Sequence, residues 1–154
     1  METRKFPRAE RMLAPPYSCY RIDLLPEPVP EGQERAYWRL HDHFCQPKER
    51  KRLARRFTRL VLKLGCYEYT AMQKGLGWIG CPSSERLTNR MRGCLADEDE
   101  AVNFMVGRGK AQLVLDSGDL FLSLYTADAD CAELISRLAW SEGLFFRRSE
   151  ESIS

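Results

Sequence analysis

Between residues 47 and 64 the chain places Leu53, Phe57, Leu60, Val61 and Leu64 at i, i+4, i+7, i+8 and i+11. That spacing puts all five on one side of an α-helix and demands an apolar surface to cover them. Pro47 suits the first turn, where its missing N–H is no loss, and the helical pattern reads on to about Met72.

The opposite side of the same helix is equally ordered. At ~100° per residue, Lys48, Arg52, Arg55, Arg56, Arg59 and Lys63 share about a third of the circumference, in a stripe about 22 Å long. Residues 48 to 63 hold eight basic side chains and one acidic one, net +7, in a chain whose formal charge is +2, which leaves −5 for the remainder. A helix face that only solvates usually mixes signs. Here Glu49 alone is available for a local ion pair, and Lys48 and Arg50 oppose the macrodipole at the N-terminus by ~0.3–1 kcal/mol each.

The chain of 154 residues is long enough to bury a core without disulfides or metal. With 44% apolar and 30% charged residues it has the balance of a folded domain. No apolar run approaches the ~20 residues of a membrane span, and Met1-Glu2-Thr3-Arg4-Lys5 leads into no apolar signal core, so the expected compartment is the cytoplasm. The cysteines Cys19, Cys45, Cys66, Cys81, Cys94 and Cys131 lack paired spacing and read as buried thiols.

Residues 1–16 are basic and aperiodic, an N-terminal arm; 17–150 form a single α+β domain; 151–154 form a C-terminal tail. Tyr20, Ile22 and Leu24 alternate as a strand that Pro26, Pro28 and Pro30 end. A first helix spans about Gln33 to Cys45, and a third opens at Pro82-Ser83-Ser84. Asp97 and Glu100, three apart, predict the reciprocal cap of a short fourth helix through Phe104. Ala111–Leu115 and Leu120–Tyr125, joined by Asp116-Ser117-Gly118-Asp119, form a hairpin, followed by a helix over 129–142 with Gly143 as its stop, and a last strand over 144–147. With 33–105 counted as one crossover, the order β, α, β, β, α, β is the split pattern of a ferredoxin-like fold with a multi-helix insertion between its first and second strands.

No motif fixes a catalytic centre. Gly75-Leu76-Gly77-Trp78-Ile79-Gly80 satisfies G-x-G-x-x-G, but it follows a helix, not a strand, and reads as a flexible connection anchored by Trp78. His41-Asp42-His43 with Cys45 suggests zinc ligands, yet i and i+2 on a helix point about 200° apart. Asp116 and Asp119 are explained by turn chemistry, and Phe121, Tyr125, Phe145 and Phe146 by core packing.

The chain is therefore expected to be a non-enzymatic binding module, without metal or cofactor. Its basic helix would dock on nucleic acid or a nucleoprotein surface through Lys48, Arg52, Arg55, Arg56, Arg59 and Lys63, as backbone contacts and not base readers. Arg86 and Arg90 on the third helix, with Arg92 and the arm's Arg4, Lys5, Arg8 and Arg11, would extend the basic surface, unless the acidic run Asp97-Glu98-Asp99-Glu100 folds back on the stripe. The alternatives are a small inhibitor or immunity-type protein meeting an acidic protein partner through the same stripe, and a carboxylate-dependent hydrolase or nuclease.

Overall fold

The computed structural model describes residues 5–149; Arg4 and the tail 151–154 lie outside the described residues. The elements are β1 (Ser18–Asp23), α1 (Glu34–Phe44), α2 (Pro47–Leu64), β2 (Thr70–Lys74), β3 (Gly77–Gly80), α3 (Ser84–Leu95), β4 (Val102–Val106), β5 (Ala111–Leu115), β6 (Leu122–Thr126), α4 (Ala129–Ser141) and β7 (Phe145–Arg148). The fold is mixed α+β. All seven strands join one antiparallel sheet in the order β3-β2-β4-β5-β6-β1-β7.

Strand alternation sorts the sheet into two faces. Ile22, Met72, Val102, Phe104, Val106, Leu113, Leu115, Leu122 and Leu124 point to one of them, and α2, α3 and α4 cover that face with Leu53, Phe57, Leu60, Leu87, Met91, Cys94, Ile135 and Ala139. This is the main core. No helix among the described residues is long and apolar enough to cross a membrane.

The second face carries Cys19, Val114 and Tyr125, against which Ala9 and Leu13 of the arm pack. The arm is thus seated on the sheet. Gln112, fully buried, accepts from the Met12 amide at 2.8 Å and donates to the Glu10 carbonyl at 2.9 Å and to Asn103 Oδ1 at 2.9 Å. Asn103 in turn donates to Gln73 Oε1 at 3.1 Å. Asp116 Oδ1 accepts from the Ala9 amide at 2.7 Å, and Arg8 lies 3.3 Å from Asp116 and 3.7 Å from Asp119.

Three expectations are corrected. Helix α2 ends at Leu64, not near Met72, because Thr70, Ala71 and Met72 are buried in the sheet as β2. The glycine-rich stretch is a hairpin: Gly75 turns the chain with φ +60°, Gly77–Gly80 pair with Ala71–Lys74, and Trp78, 39% exposed, sits on an edge strand and anchors nothing in the core. The fourth helix expected from Asp97 to Phe104 is absent. Val102, Phe104 and Val106 are buried with period two as β4, and Gly107 and Gly109 turn into β5. These strands make a seven-stranded sheet of what was read as four.

The cysteines also divide. Cys19, Cys94 and Cys131 are buried, Cys45 is half-buried, and Cys66 and Cys81 are exposed; no disulfide joins any of the six. Burial pushes the Cys94 thiol up to about 12 and Cys131 up to about 11, so neither ionises near neutrality.

Replacing Gln112 by Ala removes the partner of the arm's Met12 amide and Glu10 carbonyl and of buried Asn103 Oδ1. A loss of about 1–3 kcal/mol in urea unfolding is expected; a change below about 0.5 kcal/mol would show that this amide row does not hold the arm.

Candidate functional site

Helix α2 begins after Gln46 in an extended conformation, with Pro47 at its first turn. Its buried residues, Leu53, Ala54, Phe57, Thr58, Leu60, Val61 and Leu64, face the sheet and α3, and Thr58 Oγ1 meets Thr88 Oγ1 of α3 at 3.0 Å. The cations are thereby turned outward. Lys48, Lys51, Arg52, Arg55 and Arg59 are exposed; Arg56 and Lys63 are half-buried.

Two of the six stripe residues converge on a single carboxylate that the sequence did not single out. Glu142, the C-cap of α4 with a side chain 4% exposed, accepts from Arg59 Nε through Oε1 and from Lys63 Nζ through Oε2, both at 2.6 Å. Lys63 also donates to Ser141 Oγ at 2.9 Å. Burial pushes the Glu142 carboxyl up, but hydrogen bonds from Lys63 and Arg59 outweigh it and hold the group below its ordinary value of 4.5. Arg52 pairs with Glu49 at 3.1 Å, and His43 Nε2 lies 3.7 Å from the other Glu49 oxygen. Lys48, Lys51, Arg55 and Arg56 have no ion-pair partner among the described residues.

Arg86 and Arg90 do not continue the stripe. Thr88 marks the side of α3 that faces α2, whereas Arg86 and Arg90 line a groove on the other flank with Met72 and Ile79. Arg90 donates to the Ala101 carbonyl at 3.4 Å and lies 3.8 Å from Asp99. Arg92 stays local, donating to Asn89 Oδ1 at 3.4 Å. The arm's cations lie elsewhere: Arg8 by Asp116, Arg11 with its guanidinium 5.2 Å from the Tyr125 ring centroid, and Lys5 5.6 Å from that of Phe6.

The acidic run is accounted for as well. Asp97, at φ +57° after α3, accepts from Ser117, and Asp99 faces Arg90, so among the described residues none of the run pairs with α2. The two histidines diverge: His41 Nε2 meets the Gly118 carbonyl at 3.3 Å and its Nδ1 the Cys45 thiol at 3.4 Å, while His43 turns to Glu49. Among the described residues no group of three His, Cys, Asp or Glu could hold a metal ion. Of the four aromatics assigned to packing, Phe146 packs on the main core and Tyr125 on the arm-covered face. Phe121 is buried as well, beneath the Arg21 guanidinium, whereas Phe145 is half-buried beside Trp140.

A depressed carboxyl pKa contributes stability above the unfolded value and loses it as pH falls through the folded one. Glu142→Gln is therefore expected to cost about 1–2 kcal/mol at pH 7, discounted for two half-exposed cations, and nothing once wild-type Glu142 is protonated below its folded pKa. Thermal unfolding from pH 3 to 7 checks this: a penalty independent of pH would assign the effect to packing. No family model matches the chain, and neither a search of curated proteins nor one of solved structures finds a match.

Proposed function

We propose that this protein is a non-enzymatic binding module that docks α2 on a polyanion, the backbone of a nucleic acid or of a nucleoprotein surface. The observation that carries the reading is the outward row of Lys48, Lys51, Arg55 and Arg56, without partners among the described residues, continued by Arg52, Arg59 and Lys63, whose carboxylates leave each of them half-exposed. Guanidinium groups on one helical face match a row of phosphates in spacing and hydrogen-bond geometry. They position the protein without reading sequence.

Each phosphate neutralised releases counterion, so affinity falls with salt at a log–log slope near −0.9 per contact on duplex DNA. The triple variant Lys48→Glu, Arg52→Glu, Arg55→Glu leaves the Arg59–Glu142–Lys63 cluster intact and is expected to fold. It should weaken binding to labelled 20-mer single strands and duplexes by about a hundredfold or more at 0.1 M salt. Fluorescence anisotropy decides the matter: full affinity in this variant sinks the reading.

Glu142 competes with phosphate for two of the cations. Glu142→Gln is expected to bind the same probes severalfold more tightly and to steepen the salt slope by about one to two units. An unchanged slope would place Arg59 and Lys63 outside the interface.

A further inference from the structure

The sheet face away from α2, α3 and α4 holds a second concave site, beyond the edge of the arm. A cavity of about 730 Å³ lies between β1, β7 and α1, lined among others by Arg21, Asp23, Tyr37, Trp38, Phe121 and Arg147. That volume is ordinary for a small-molecule site.

Its floor contains an arrangement that strand pairing does not favour. Arg21 lies directly across from Arg147 in the β1–β7 register, and like charges so placed repel. Arg147 is compensated by Asp23, 3.0 Å from its Nη2, with the two side chains 16% and 13% exposed. Its Nε is nevertheless buried and without a hydrogen-bond partner, a condition rare in folded proteins. Arg21 has no carboxylate at all among the described residues: its guanidinium carbon sits 3.7 Å from the Phe121 ring centroid. Arg21 thus lies against an aromatic ring with no carboxylate of the described residues within ion-pair distance.

The opposite wall comes from α1. Trp38 is 41% exposed, and its ring is set edge-on to Tyr37 and His41, with centroids 5.5 and 5.0 Å apart. The Tyr37 hydroxyl is pushed up by burial and by Asp23 and Asp119, so it stays protonated as a donor at neutral pH. Carboxylates limit the total charge the site accepts. Asp23 is engaged by Arg147, Glu34 accepts from the Gly32 amide at 3.2 Å, and Glu27 stands exposed at the mouth. With two guanidinium groups against three carboxylates the lining as a whole repels a polyanion, and the local attraction for an anion is confined to the floor beside Arg21.

We propose that this cleft binds a small monoanion borne on a flat aromatic ring, its carboxylate or phosphodiester on Arg21 and Arg147 and its ring against Trp38. Guanidinium groups hold such anions by charge-assisted hydrogen bonds, and an exposed indole stacks a planar ring. The cleft and the cationic stripe lie on opposite sides of the sheet, so the two proposals stand or fall separately.

Isothermal titration calorimetry at pH 7 on the full chain tests it with indole-3-acetate and adenosine 3′,5′-cyclic monophosphate, which separate the carboxylate from the phosphodiester source. At least one should bind with Kd below about 1 mM, and about tenfold or more tighter than tryptophol, adenosine or acetate, which lack the charge or the ring. Trp38→Ala and Arg21→Gln, neither of which breaks the Arg147–Asp23 pair, should each weaken that binding about tenfold with an unchanged Tm. The proposal is overturned if neither probe binds, if an uncharged analogue binds as tightly, or if either variant keeps full affinity.

Discussion

The seating of the α2 apolar stripe on the sheet fixes everything else in this molecule. Phe57, Leu53, Leu60 and Leu64 are almost fully buried against β-strand side chains, and each such burial is worth about 1.5–3 kcal/mol. Surface ion pairs contribute about 0–1 kcal/mol apiece. The core therefore decides the rotation of the helix, and the cations go wherever that rotation leaves them. Their alignment is a consequence of sequence spacing locked by packing, and Glu142 adjusts it only at the C-terminal end.

Glu142 also shows how a buried carboxylate can organise an exposed basic surface. Gly143, at φ +73°, stops α4, and the residue before it falls beside the last two turns of α2. One negative charge there orders two long side chains that would otherwise sample many rotamers. Arg59 and Lys63 are held to Glu142, while Arg55 and Arg56 one turn earlier have no ion-pair partner among the described residues.

Features governed by local periodicity were legible in the sequence: α2 up to Leu64, the opening of α3 at Pro82-Ser83-Ser84, the β5 and β6 strands and the Gly143 stop. β4 was misread because Asp97 and Glu100 imitate a helix cap, although the alternation of Val102, Phe104 and Val106 was present and points to a strand. β2 and β3 are five and four residues long, with glycines at both ends of β3, and exist through pairing more than propensity. The partners of the stripe and the floor of the cleft could not be read at all. Arg59 meets Glu142 across 83 positions and Arg147 meets Asp23 across 124, and no local pattern encodes such encounters. The position of Arg86 and Arg90 was hidden for a related reason: a wheel places them on α3 but not on the flank that α2 leaves open.

The placement of β1 has a consequence for how the chain acquires its fold. β2, β3, β4 and β5 are adjacent in the sheet and contiguous in sequence apart from α3, so their pairings close short loops. β1 pairs with nothing nearby: Ile22 faces Leu122, 100 positions later, and Tyr20 faces Arg148. Closing such loops is entropically expensive, and contacts of this range slow folding. Until β6 and β7, both distant in the sequence, reach it, β1 has no strand partner in the sheet. This edge of the sheet is therefore closed by the most distant pairings in the chain, and β7 reaches the sheet through β1 alone.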